Sequence, residues 1–287
     1  MKTNKKKTSK ISKRAAKKSN VNKKGTETSF PKGQSKPAPV RIFITGESPL
    51  VEQYADVCSE HGYDVYISWN EMPAQKPEFN NHGIKITNII PANTSLVIEL
   101  TNIDIFAKKK NLERFDSTLT MSTPIISSSV TVTATEQSLW LSGKHRLVGF
   151  AALPTLIQKP LVEIAPTIYS PKETLEVVRI YFQSIGKEIE IVQDRIGMVI
   201  PRILCRLVNE ALFAVMEDHA APQDIDKAVQ IGIGLPAGLI GWAERIGWSQ
   251  ICAVLDAIYN DTHEERYRAA PLLKHMALTG NWWNKQV

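Results

Sequence analysis

Residues 40–69, VRIFITGESPLVEQYADVCSEHGYDVYISW, decide the fold. The runs 40–45 and 64–69 are short and rich in β-branched and aromatic side chains, which is typical of strands. The segment between them has its apolar residues at helical spacing and ends at Gly62, a common helix terminator. A strand, a helix and a second strand in this order predict a βαβ unit, which implies a parallel sheet.

The rest of the chain continues this alternation and then becomes helical. From residue 197 onward the apolar pattern is helical, and several segments start at Pro or Ser and stop at Gly. We therefore predict a Rossmann-like, doubly wound parallel sheet in residues 39–195 and an all-helical C-terminal domain in residues 196–287. The further predicted strands are SLVIEL (95–100), PIISSSVTV (124–132), KHRLVGFAAL (144–153), LVEIAP (161–166) and EIEIV (188–192).

The N-terminal segment differs from the remainder in charge and composition. Residues 1–40 carry a net charge of +12 within a total of +6, so the remaining chain has a net charge of −6. Residues 1–38 are rich in Lys, Ser, Thr and Asn and poor in large apolar side chains, which predicts a disordered tail. This tail is the only part of the chain that suggests a nucleic-acid partner, through phosphate contacts. A solvated tail without a ligand explains the same composition.

Composition and spacing exclude several classes of protein. The three cysteines are far apart and lack Cys-x-x-Cys spacing, which argues against a disulfide framework and a zinc site. No apolar run approaches the roughly 20 residues of a membrane span, and no secretory signal pattern is present. We expect a cytoplasmic protein in a reducing compartment, with no metal and no membrane span.

The order of segments after residue 40 resembles the 3-hydroxyacyl-CoA dehydrogenase family, the 3-hydroxybutyryl-CoA dehydrogenases in particular. Residues 161–213 are similar to the family's LVE strand, capped helix, IGK strand and the helix that follows. Residues 223–248, QDIDKAVQIGIGLPAGLIGWAERIGW, resemble its next helical run, and residues 266–283 resemble its final helix. The resemblance implies an NAD-binding Rossmann domain followed by a helical domain that dimerises and closes over an acyl-CoA.

The phosphate loop departs from the family pattern G-x-G-x-x-G. The aligned positions are Gly46, Ser48 and Val51, so only the turn glycine remains, and the resemblance makes Gly46 and Ser48 vestigial cofactor contacts. Glu47 adds a negative charge beside the expected phosphates. A plain helix start, with Ser48 as N-cap and Pro49 at the first helical position, explains the same residues without a ligand.

Other positions near the expected cofactor and substrate also depart from the pattern. Trp69 stands where the resemblance implies an acidic residue for the ribose hydroxyls, and Pro201 replaces an Asn and predicts a disturbed helix. Lys108 matches a family lysine near the cofactor. The segment 70–94 is too short and too rich in Pro and Asn for the family's helical hairpin, which clasps the CoA. A truncated clamp makes acyl-CoA a doubtful ligand.

The catalytic dyad of the family is a His that takes the proton of the 3-hydroxyl and a Glu that orients this His. An ungapped comparison through LVE places Glu163 on the Glu and Ala151 on the His. Alanine cannot transfer a proton. Without its His partner, Glu163 is better explained as a structural hydrogen-bond acceptor or a surface charge than as a catalytic group.

Two hypotheses for the function follow. In the first, the chain has lost catalysis, binds no cofactor, and acts as a dimeric scaffold or a partner- or ligand-binding pseudoenzyme. In the second, it is a divergent NAD-dependent 3-hydroxyacyl-CoA (3-hydroxybutyryl-CoA) dehydrogenase of fatty acid metabolism. Both predict a homodimer, or a heterodimer with a family relative, formed through the helical domain.

Overall fold

The sheet has the strands that the apolar runs predict, with one short addition. The computed structural model describes residues 40–75, 77–80 and 83–280, so the tail predicted at residues 1–38 lies outside the described residues. The strands are β1 (Arg41–Gly46), β2 (Asp64–Trp69), β3 (Lys85–Ile86), β4 (Leu96–Leu100), β5 (Ile125–Ser128), β6 (Leu147–Phe150), β7 (Leu161–Pro166) and β8 (Glu188–Ile191). They form one eight-stranded sheet in the order β3-β2-β1-β4-β5-β6-β7-β8.

The predicted doubly wound parallel sheet is confirmed, with one strand pair in it antiparallel. β1 to β6 run parallel, but β7 pairs with β6 in the antiparallel direction. The reason is the short connection at residues 151–160, because a parallel crossover needs about a dozen residues or more. β8 then pairs parallel with β7, since a full helix connects the two.

Helices cover both faces of the sheet and make up the C-terminal part. They are α1 (Leu50–Glu60), α2 (Ile105–Thr118), α3 (Ala134–Ser138), α4 (Lys172–Ser184), α5 (Ile200–Met216), α6 (Pro222–Gly232), α7 (Leu239–Ile246), α8 (Trp248–Thr262) and α9 (Pro271–Thr279). Side chains of α1 and α4 are buried on one face of the sheet, and those of α2 and α3 on the other. This is the doubly wound arrangement.

Two predictions about helix starts are wrong. α1 has Pro49 at its N-cap without a side-chain cap, so Ser48 does not cap it. Pro201 lies in the first turn of α5, where a missing N–H breaks no helical hydrogen bond, so the predicted disturbance does not occur. In residues 70–75, 77–80 and 83–94 no helix forms.

A third apolar core joins the sheet to the C-terminal helices. Val130, Leu153 and Ala165, from the sheet and its loops, are buried in one cluster with side chains of α5, α7, α8 and α9. The described residues therefore belong to one compact unit, and the domain boundary at residues 195 and 196 stays a prediction. None of the described helices has the length and apolar character needed to cross a bilayer.

Candidate functional site

The natural ligand position of this sheet is the crevice between the ends of β1 and β4. The chain passes from β1 to β2 on one side and crosses to β4 on the other, and ligands of such folds bind where the strand order reverses. Gly46 ends β1 here with φ of +150°, and a Cβ on it would lie 2.5 Å from the backbone of Leu100. The close approach of the two strands therefore requires this glycine.

The side chain of Glu47 spans the crevice. Its carboxylate accepts hydrogen bonds from the backbone amides of Asn102, Ile103 and Asp104, at 3.1, 2.9 and 3.0 Å. These amides precede the first turn of α2, where a helix N-terminus attracts negative charge. The anion-binding donors beside the crevice are thus occupied by a carboxylate of the chain itself.

The C-terminal helices close the crevice from the other side. Gln250, in the first turn of α8, donates to the Glu47 carboxylate at 2.9 Å and accepts from the Asn102 side chain at 2.8 Å. Asn102 also donates to the carbonyl of Ala152 and accepts from the Ser128 hydroxyl. Asn102 and Gln250 are 1% and 4% exposed. The carboxyl ends of β1, β4, β5 and β6 are therefore tied to α8 by a buried polar network.

The remaining positions expected near a cofactor are engaged in other contacts. Ser48 is exposed. Trp69 is 8% exposed, and its indole N–H donates to Glu52 of α1 at 3.0 Å. The side-chain amide of Asn70 donates to Thr101.

Lys108 lies inside the protein rather than on the crevice surface. Its side chain is fully buried in an ion pair with Glu99 of β4, whose carboxylate is also fully buried. The ammonium group donates further to Ser127 and to the carbonyl of Ser128. A buried pair with this many hydrogen bonds is a structural element of the sheet.

Ala151 and Glu163, which the comparison through LVE places on the family's dyad positions, lie next to each other in the structure. The Ala151 amide donates to the Glu163 carbonyl at 3.0 Å, and both residues line one cavity of about 340 Å³. The Glu163 side chain is 3% exposed and accepts from the amides of Val199 and Ile200 at 2.9 and 2.6 Å. Glu163 therefore binds the N-terminus of α5.

The described residues contain no cluster of three or more His, Cys, Asp or Glu side chains that could hold a metal ion. The cysteines are unpaired. Burial raises the pKa of the Cys58 thiol to about 12, against a hydrogen bond with Tyr181. Burial and the nearby Asp256 raise the pKa of Cys252 to about 12. These thiols are protonated and poorly nucleophilic at neutral pH.

Sequence reasoning missed the residues that close the crevice. Glu99 carries a signal, since a carboxylate in the apolar run SLVIEL requires a buried partner. Asn102 and Gln250 carry none, because their partners lie up to 203 residues away in the chain. The sequence predicts that the charge of Glu47 repels a phosphate. It does not predict the three amide contacts of Glu47, because these form only when the ends of β1 and β4 lie side by side in the folded sheet.

The sequence and the fold of this chain are similar to those of known proteins. Residues 197–287 match the model of the 3-hydroxyacyl-CoA dehydrogenase C-terminal domain. A "Probable 3-hydroxybutyryl-CoA dehydrogenase" of Bacillus subtilis is 25% identical over 74% of this chain and 73% of its own length. Residues 197–287 therefore belong to the 3-hydroxyacyl-CoA dehydrogenase C-terminal domain family, and most of the chain is similar to 3-hydroxybutyryl-CoA dehydrogenases.

Two further similarities support this assignment. "3-Hydroxyadipyl-CoA dehydrogenase" of Escherichia coli is 35% identical over 118 residues, 41% of this chain but only 25% of that protein. The crystal structure of (S)-3-hydroxybutyryl-CoA dehydrogenase from Ralstonia eutropha superimposes with a TM-score of 0.69 at 21% identity. It covers 85% of this chain and 95% of that one, which shows a shared fold.

Proposed function

We propose that this chain is a non-catalytic member of its family, which acts as a dimeric ligand- or partner-binding protein rather than by hydride transfer to NAD. The observation that carries the proposal is the Glu47 carboxylate, held by three amides and Gln250 in the crevice. The residues at this position do not fit a dinucleotide, because the Glu47 carboxylate directly follows the turn glycine Gly46, where a Rossmann fold holds the pyrophosphate of its cofactor.

Coulomb's law gives the size of the repulsion between the Glu47 carboxylate and a bound phosphate. Two like unit charges about 4 Å apart repel by about 4 kcal/mol at an effective dielectric constant of about 20. Since about 1.4 kcal/mol is a factor of ten in affinity, a phosphate near Glu47 binds roughly a thousandfold more weakly than in an equivalent site without this carboxylate. Trp69 offers no carboxylate for ribose hydroxyls either.

The dyad position supports the same proposal. Ala151 has no group that can exchange a proton, and both carboxylate oxygens of Glu163 accept from the first amides of α5. Loss of a general base alone costs about 10² to 10⁴ in rate. The chemical step therefore lacks its proton acceptor.

The proposal is tested by titrating the purified protein with NADH, followed by fluorescence, together with an assay of acetoacetyl-CoA reduction. We expect no saturable NADH binding at micromolar concentration and no turnover above the uncatalysed rate. Micromolar NADH binding accompanied by turnover would refute it.

A divergent NAD-dependent 3-hydroxyacyl-CoA dehydrogenase of fatty acid metabolism is the second candidate. Its support is the similarity to 3-hydroxybutyryl-CoA dehydrogenases over most of the chain, 74% for the Bacillus subtilis relative and 71% for one from Clostridioides difficile. In this case Glu163 would act without a His, and the crevice would have to open to admit NAD. The NADH titration and the reduction assay separate the two candidates.

We also propose that the helical part forms the dimer interface. Ile203 and Leu207, one turn apart on α5, are 54% and 37% exposed, and Ile231 on α6 is 75% exposed. α6 buries none of its residues within the chain. Exposed apolar rows of this kind mark interaction surfaces.

Sedimentation velocity at micromolar concentration tests the interface. We expect a dimer for the wild type and a monomer for Ile203→Glu combined with Ile231→Glu. Ile180→Glu on α4 is the matched control, because Ile180 is similarly exposed, at 57%, but lies on a sheet-covering helix. A monomeric wild type, or dissociation by the control variant, would refute the interface.

A further inference from the structure

The two edges of the sheet differ in how they are protected from further strand pairing. At one edge, β3 has only two residues, and its Lys85 forms an ion pair with Asp64 of β2. A short strand and a lysine are common protections of a sheet edge. At the other edge, β8 has four residues, and three of them, Glu188, Glu190 and Ile191, are exposed. Among the described residues, the β8 edge is therefore open.

Half of the backbone groups of β8 point away from the sheet. The amides of Glu188 and Val192 donate to carbonyl groups of β7 and of the residue before it, at 2.8 and 2.9 Å. Because the direction alternates along a strand, the amides and carbonyls of Ile189 and Ile191 face outward. No described strand lies beyond β8 to pair with them. An added strand would satisfy these groups, as in other cases of peptide binding at a sheet edge.

The side chains of β8 alternate between acidic and apolar. Glu188 and Glu190 lie on one face of the strand, and Ile189 and Ile191 lie on the other. In the part of the chain that the structure describes, neither carboxylate has an ion-pair partner. The Glu163 carboxylate of β7 faces the same side but is bound to the first amides of α5. The acidic face of β8 thus presents two negative charges to an added strand.

A groove continues the β8 edge at its C-terminal end. Its volume is about 560 Å³, and Pro166, Ile168 and Ile191 form its apolar wall. Ile168 and Ile191 are 78% and 48% exposed. Asp194 also lines the groove, but its carboxylate accepts from the first two amides of α3. Since Arg195 lies in the wall as well, the groove favours an apolar side chain over a basic one.

A second copy of this chain does not fit the β8 edge. If two β8 strands paired in the antiparallel direction with Ile189 opposite Ile189, Glu188 of one copy would lie opposite Glu190 of the other. Residues directly opposite each other lie on the same face, so every register that brings the isoleucines together also brings the carboxylates together. Like charges directly opposite each other are destabilising. The charge pattern therefore requires a strand of the opposite sign.

We propose that the β8 edge binds an extended segment of a partner protein in which Lys or Arg alternates with apolar residues. The segment adds a strand to the sheet and pairs its backbone with Ile189 and Ile191. Its basic side chains lie opposite Glu188 and Glu190, and its apolar side chains lie on the face of Ile191 and enter the groove. The inference rests on the proposed partner-binding role and names the class of partner.

The test uses three capped pentapeptides as probes and the isotope-labelled full chain as receptor. The first is Lys-Val-Lys-Val-Lys, the second is Lys-Lys-Lys-Val-Val, which has the same composition without the alternation, and the third is Glu-Val-Glu-Val-Glu. Dissociation constants are measured by NMR titration. We expect saturable binding of the first peptide, weaker binding of the second and none of the third.

Amide hydrogen exchange locates the bound peptide. The first peptide should slow the exchange of the Ile189 and Ile191 amides, because a new strand supplies their acceptors. The amide of Val192 is the internal reference, since it already donates to β7, and its exchange should change much less.

Variants separate the contributions of charge and backbone. Glu188→Lys combined with Glu190→Lys should weaken binding of the first peptide at least about 2- to 30-fold, the equivalent of two cross-strand ion pairs, and should allow the third peptide to bind. Ile191→Pro removes an outward amide but no hydrogen bond to β7, so binding of the first peptide should weaken about 2- to 10-fold. Ile191→Val is the matched control, because it keeps the amide and an apolar side chain, and it should leave the constant unchanged.

Four outcomes would overturn the proposal: no binding of the first peptide, equal binding of the second, binding without slower exchange at Ile189 and Ile191, or a charge-reversed variant that still prefers the first peptide. If Ile191→Pro does not fold, the exchange measurement decides the backbone contribution. The assay contains no nucleotide. Its failure is therefore distinct from the appearance of NADH binding, which would refute the non-catalytic role instead.

Discussion

Glu163→Gln tests the structural role of this carboxylate. In the folded chain, both oxygens of the Glu163 side chain accept from amides at the start of α5. Glutamine keeps one acceptor oxygen and turns an NH₂ group toward the other amide. One charge-assisted hydrogen bond is lost, and one buried backbone donor is left unsatisfied.

The expected cost can be worked from these contacts. Loss of a hydrogen bond to a charged group costs about 1.5–3 kcal/mol, and loss of a carboxylate at a helix N-terminus adds about 0.3–1 kcal/mol. We expect the free energy of unfolding to fall by about 2–4 kcal/mol. For a chain of this size, about 2–4 °C per kcal/mol gives a decrease in Tm of roughly 4–16 °C.

Urea unfolding followed by circular dichroism at pH 7 measures the change. Glu173→Gln is the matched control, because Glu173 is an exposed carboxylate in the first turn of α4 without a buried amide pair to satisfy, and its loss should cost no more than about 1 kcal/mol. A Glu163→Gln variant as stable as wild type would refute the reasoning. So would a control variant that is destabilised to the same extent.

Three other predictions follow from buried groups. Asp116→Asn leaves the buried Arg146 without its carboxylate and should cost about 3–5 kcal/mol at pH 7. Burial raises the pKa of Asp116, but the Ser142 amide and Arg146 outweigh it and lower the pKa; the carboxylate stabilises the fold above about pH 3.9. The difference between wild type and variant in urea unfolding should therefore shrink as pH falls through the lowered pKa, and a constant difference would contradict this. Lys108→Met leaves Glu99 buried and unpaired, so a loss of about 3–5 kcal/mol is expected in the same assay, and a loss below about 1 kcal/mol would contradict the buried pair. The buried thiols of Cys58 and Cys205 should react with a thiol reagent at pH 8 only after unfolding, and rapid labelling of either thiol in the native chain would contradict their burial.

Local patterns predict the elements of this fold, whereas long-range contacts decide its details. The bounds of β2, β7 and α6 follow from apolar periodicity and from Pro and Gly. β5 is shorter than the predicted run 124–132, because the chain leaves the sheet to contact the start of the helical part, where Gly197 donates to Val130. The antiparallel direction of β7 depends on the length of the connection at residues 151–160. The residues of β7 themselves do not indicate this direction.

The candidate site was predicted less completely than the fold. The sequence identifies Ala151, Glu163 and the degraded phosphate loop, since these are substitutions at positions of a known motif. It does not reveal that Glu47 binds residues 102–104 or that Gln250 completes the contact, because such pairs meet only when the strands and α8 are assembled.

The bridge from Glu47 to Gln250 also bears on how the chain moves. In a protein whose two parts close around a ligand, the ligand supplies the free energy that favours the closed shape. Here the contacts that hold the sheet and the C-terminal helices together are intramolecular, so this arrangement forms without a ligand. The radius of gyration in solution should consequently be the same with and without nucleotide. A partner that docks on the helices would meet a surface of constant shape.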